Sequence, residues 1–211
     1  MAAGQATYPV RFGVDYPETP LDRLSTALRL LWALPILVVL AAVSGDGSSG
    51  SDEGARITLG GAGGLLFLAP LIMIVFRRRY PRWWFDWNLA LARFGARVVA
   101  YLCLLTDRYP ATDDEQAVHL DFPYPDVERD LNRWLPLVKW LLALPHYVVL
   151  LVLGIAAFFA VVAAWFAIIF TGGYPRTLFD FVVGVLRWGY RVLAYAFLLT
   201  TDRYPPFRLS E

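Results

Sequence analysis

One cysteine, two histidines, two methionines and a single lysine are all that 211 residues contain of these types. The lone Cys103 excludes an intramolecular disulfide. His119 and His146 are too few and too far apart for a metal site, and neither a metal nor another cofactor is expected. No phosphate-cradling glycine loop, HExxH, GxSxG, paired-cysteine or dinucleotide fingerprint occurs, so the sequence predicts a protein that is not an enzyme. Charge is scarce as well: 18% of residues against 58% hydrophobic, with a mean hydropathy of +0.50. That apolar share exceeds the roughly 45–50% of soluble domains and predicts an all-α integral membrane protein. The net charge of +1 offers no whole-chain attraction for nucleic acid, and none is expected as a partner. The first 24 residues hold no apolar run, so no cleavable signal peptide is expected and the first spanning helix serves as its own insertion signal.

What the chain does have is repetition. Residues 80–106 (YPRWWFDWNLALARFGARVVAYLCLLT) and 174–200 (YPRTLFDFVVGVLRWGYRVLAYAFLLT) are identical at 14 of 27 positions, and both run on into Asp-Arg-Tyr-Pro. Upstream, Leu-Leu-Trp-Ala-Leu-Pro at 30–35 matches Trp-Leu-Leu-Ala-Leu-Pro at 140–145. Further upstream, 10–16 and 118–124 alternate apolar and polar residues with the period of a strand, and each ends in Tyr-Pro. Two halves follow, 1–113 and 114–211. The first is expected to hold a strand at 10–16, spanning helices at 24–43 and 57–76, and an amphipathic helix at 83–105. The second is expected to hold a strand at 118–124, spanning helices at 134–153 and 155–171 turning near Gly154, and an amphipathic helix at 177–199. The two short strands are positioned to pair with each other across the halves.

Orientation follows from the basic cluster Arg77, Arg78, Arg79 and Arg82, which stays cytoplasmic. The acidic Gly/Ser segment 44–56 then lies outside, and both ends of the chain inside. Counting arginines on each side favours two spans per half with the YPR helices lying at the inner surface. Two Arg and one Asp near a bilayer centre would each cost about 3 kcal/mol.

The YPR helices carry the candidate site. Asp86, Arg93 and Arg97, and again Asp180, Arg187 and Arg191, recur at offsets of seven and four, which return to within about 20° on a helix. Each set therefore lines one stripe, beside the small residues Ala90 and Ala100 or Gly184 and Ala194. Two guanidiniums one turn apart repel unless an anion lies between them, which suits a phosphate or lipid headgroup held by bidentate contacts. The plainer alternatives are guanidiniums that snorkel to the interface or pair with acids of the linker.

Together, YPVRFGVDYPE, LPHYVVLLVLGIAAFFAVVAAWFAIIFTGGYP and FDFVVGVLRWGYRVLAYAFLLTTDRYPPF resemble a bacterial membrane-protein family known as a domain of unknown function. The resemblance covers nearly the whole chain, most closely its second half. It implies a multi-span inner-membrane protein with a duplicated unit, and it brings no substrate or catalytic residue. The expected function is a non-catalytic membrane scaffold or accessory subunit, binding anionic lipid or a membrane-protein partner through its inner-face arginine helices. The alternative is a small oligomeric transporter or channel with its pathway between the halves; a lipid-modifying enzyme using Asp86 or Asp180 is a third.

Overall fold

The computed structural model describes residues 8–44, 70–112, 116–127, 129 and 131–210. Most of the loop expected at 44–56 and of the span expected at 57–76 lies outside the described residues.

Strand β1 (Arg11–Val14) pairs antiparallel with β2 (Val118–Asp121), with Phe12 directly opposite Leu120. The amide of Asp15 bonds Ala117 O at 2.8 Å, which makes that couple a hydrogen-bonded pair. Pair types alternate along an antiparallel ladder, so Phe12 and Leu120 form a pair without mutual bonds, and their carbonyls point out of the ribbon's two edges. Each edge meets a long helix: β2 lies on α3 (Arg82–Leu102), and β1 lies on α6 (Arg176–Ala196). Each strand thus packs on the helix of the other half. Tyr16 Oη donates to Tyr174 O, and Tyr124 Oη donates to Tyr80 O, both at 2.5 Å. Phe179 and Phe85 meet these two tyrosines edge-on.

The predicted first span is divided. Helix α1 (Arg23–Ala27), capped by the Asp22 carboxylate, gives way at Leu28 to α2 (Arg29–Ser44). Pro35 is carried inside α2, which packs on α3 through Ala33, Ile36, Phe94 and Val98. Of the second span, the described part ends in a π-helical turn (Met73–Arg77), closed by Arg78 in the left-handed region.

In the second half the expected turn near Gly154 does not exist. The apolar stretch breaks earlier, at Ala143, between α4 (Pro136–Leu142) and the uninterrupted α5 (Leu144–Thr171). Proline explains the position, since Pro136 and Pro145 both stand in the first turn of a helix, where a missing amide costs nothing. A solitary glycine costs a helix only about 1 kcal/mol and does not end it. Among the described residues α5 is the one helix long and apolar enough to cross a membrane. It packs on α6 along a narrow line of Ala160, Ala164 and Ile168, while Val148, Leu151, Ile155, Phe158, Phe159 and Phe170 stand exposed.

Two buried cations tie the apolar helices to the Asp-Arg-Tyr-Pro turns. Arg29, 2% exposed, donates to Tyr101 O, to Thr106 O and to the Asp107 carboxylate. Lys139, wholly buried, sits 2.6 Å from Asp202 Oδ1 and 2.8 Å from Thr201 O.

Cys103 caps α3. Burial pushes its thiol up to about 11 from 9.0, so at pH 8 the reactive thiolate is about 100-fold rarer than in an ordinary cysteine. Alkylation by iodoacetamide at pH 8 is expected to run about two orders of magnitude slower in the native protein than in the unfolded chain. Because the folded form resists ionisation, this contribution to stability is whole below pH 9 and is lost as the pH rises toward 11.

Candidate anion-binding site

The outward carbonyls of the ribbon's central pair are each taken by an arginine. Arg93 Nε donates to Leu120 O and Arg187 Nε to Phe12 O, both at 2.8 Å. Arg93 also reaches Asp121 Oδ1 at 3.1 Å, an ion pair largely open to solvent. One turn on, Arg97 Nη1 donates to Ala111 O at 2.5 Å, and Arg191 donates to Arg208 O and Ser210 O. These bonds explain why two like charges one turn apart are tolerated on each helix: backbone dipoles share the load that the sequence assigned to an anion.

All four arginines nevertheless line a single cavity of about 800 Å³ between α3, α6 and the ribbon. Arg11 joins them from β1, and among the described residues the one carboxylate in the lining is Asp121. Bringing Arg93 and Arg97 together with Arg187 and Arg191 requires the ribbon to cross between the halves, which helix periodicity alone does not state. Gln116, 6% exposed, bonds Tyr109 O through its amide nitrogen and leaves Oε1 without a partner among the described residues. Arg97 Nε is likewise buried and unpartnered among them. Tyr8 and His119 also line the cavity. Burial raises the Tyr8 phenol above the usual range, so it stays a neutral donor, to Arg203 O at 3.0 Å. His119 and Asp15 pair at 3.0 Å, both largely open to solvent. Among the described residues the lining therefore presents guanidinium donors and one carboxylate, a set suited to phosphate or carboxylate oxygens.

Asp86 and Asp180, expected on the same stripes, do not belong to the site. Seven residues set them about 10 Å along the axis from Arg93 and Arg187, and neither lines the cavity. Asp180 stands exposed 3.8 Å from Arg176, and Asp86 is exposed with no ion pair among the described residues. His146 also lies apart. It accepts a bond at Nδ1 from Trp188 Nε1 at 3.1 Å and stacks on Phe207 at 4.1 Å. Among the described residues no group of His, Cys, Asp and Glu is arranged to hold a metal.

Residues 134–208 match a family model described as a domain of unknown function, DUF4389. The match takes in α4, α5, α6 and the segment after them. No curated protein and no solved structure matches the chain.

Proposed function

We propose that this protein is a non-catalytic scaffold or accessory subunit of the bacterial inner membrane, which holds anionic lipid headgroups in its arginine cavity. The observation that carries the reading is the convergence of Arg93, Arg97, Arg187 and Arg191, with Arg11, on one cavity whose described lining holds a single carboxylate. A phosphate diester is the anion a membrane surface supplies in quantity, and each basic residue near such a surface contributes about 1 kcal/mol of attraction. Membrane embedding is supported by the length and apolarity of α5 and by its exposed phenylalanines and aliphatic residues, which suit hydrocarbon. We read the protein as multi-pass from the apolar sequence of segments 24–43 and 57–76, with its ends cytoplasmic beside the Arg77 to Arg82 cluster. The halves are copies of one unit, a view supported by the matched contacts of Arg93 with Arg187, of Tyr16 with Tyr124, and of Arg29 with Lys139.

Native mass spectrometry of the detergent-extracted protein tests the reading. The wild type is expected to retain phosphatidylglycerol over phosphatidylcholine. Arg93→Ala/Arg97→Ala/Arg187→Ala/Arg191→Ala is expected to lose that preference while α5 keeps it in the membrane fraction. Retention of a stoichiometric protein subunit, with no lipid preference, would assign the cavity to a partner instead.

A further inference from the structure

We infer that the two arginine pairs are not equivalent: Arg93 and Arg97 take the phosphate ester, while Arg187 and Arg191 are occupied by the chain's own segment 208–210. The inference rests on the anion-binding reading above and assigns that reading to one side of the cavity.

On α6, Arg187 Nη1 donates to Leu209 O at 3.1 Å, and Arg191 donates to Arg208 O at 3.3 Å and Ser210 O at 2.9 Å. Three consecutive carbonyls thus fill the positions that phosphate oxygens would take. The seat is close because residue 184 is glycine: a Cβ built there would stand 2.9 Å from Leu209 Cβ and 3.3 Å from its carbonyl oxygen. Phe207 secures the strap by stacking on the His146 ring. Arg191 beneath it is 2% exposed.

On α3 the corresponding residue, Ala90, is exposed. Arg97 meets the single carbonyl of Ala111, and its Nε has no partner among the described residues. The Arg93 side chain is 45% exposed. Arg11, opposite Asp121 in the ribbon, also lines the cavity, and the Arg93–Asp121 pair at 3.1 Å lies largely open to solvent. Neutral carbonyls bond a guanidinium without cancelling its charge, so a phosphate oxygen still gains strongly from reaching it.

The test is a titration of the full chain in detergent. Dihexanoyl-phosphatidylglycerol is the lipid probe, glycerol 3-phosphate the soluble phosphate ester, and dihexanoyl-phosphatidylcholine the zwitterionic control. The wild type is expected to take one equivalent of phosphatidylglycerol. Arg97→Gln should weaken binding about tenfold or more and Arg191→Gln less than about twofold, charge-assisted bonds to the phosphate being lost only in the first. Gly184→Ala, which drives Leu209 off α6, should add a second equivalent. Equal losses in Arg97→Gln and Arg191→Gln, or two equivalents in the wild type, overturn the inference and leave the anion-binding reading standing. No preference for phosphatidylglycerol over phosphatidylcholine, with no binding of glycerol 3-phosphate, overturns both. Glycerol 3-phosphate binding that depends on Arg97 alone supports the inference with a soluble ester as the source. Should Arg191→Gln fail to fold, Gly184→Ala decides, and an unchanged single equivalent overturns the inference.

Discussion

Asp202→Ala is expected to destabilise the protein by about 3–5 kcal/mol, the cost of leaving a buried charge without its partner. Lys139 has no exposed surface, and with the carboxylate gone its ammonium keeps, among the described residues, Thr201 O and the face of Tyr195, 5.3 Å away. Asp202 also accepts from the Asn132 amide at 2.5 Å, so the same change frees the chain entering α4. Chemical or thermal unfolding in detergent measures the loss. The double substitution Lys139→Met/Asp202→Leu removes both charges and fills the space with apolar atoms. It should recover most of the stability, because a buried pair is costly to break and cheap to replace. Asp107→Ala is expected to act in the same direction and less severely, since Arg29 retains two carbonyls and lies 4.2 Å over the Tyr101 ring.

Phe159→Arg is the second large effect. Phe159 is 64% exposed near the middle of α5, and no described residue would shield a guanidinium there. If hydrocarbon surrounds that face, the substitution costs about 3 kcal/mol of insertion free energy, and the chain should shift from the carbonate-resistant membrane fraction toward soluble or degraded forms. In water the same change would be nearly neutral. Phe159→Leu, apolar and smaller, is expected to leave membrane partition unchanged.

The sequence made the local elements readable and left their meetings obscure. Period-2 alternation located both strands to within three residues, and the amphipathic period located α3 and α6 almost end to end. Those signals are carried by neighbours on one element. The turn at Gly154 was misread because length was weighed above helix chemistry; prolines at 136 and 145 mark the real boundaries. The four arginines of the cavity were legible from their spacing, whereas Asp86 and Asp180 share the stripe but do not line the cavity. Arg11, Gln116 and Tyr8 carry no sequence signal, because only the pairing of β1 with β2 brings them to the cavity. Arg29 and Lys139 did carry one. Each precedes its Leu-Pro by the same interval, and each finds the aspartate of the Asp-Arg-Tyr-Pro turn that closes its own half.

The account stands on α5 being embedded in hydrocarbon while the ribbon and its cavity face the aqueous surface. Nitroxide labels on a Cys103→Ala background, placed singly at 148, 151, 155 and 159 and at 11 and 119 in reconstituted vesicles, measure this directly. The helix positions should collide often with dissolved oxygen and rarely with a water-soluble nickel chelate, and the ribbon positions should do the reverse. Equal access of the nickel chelate to α5 and to the ribbon would contradict the account.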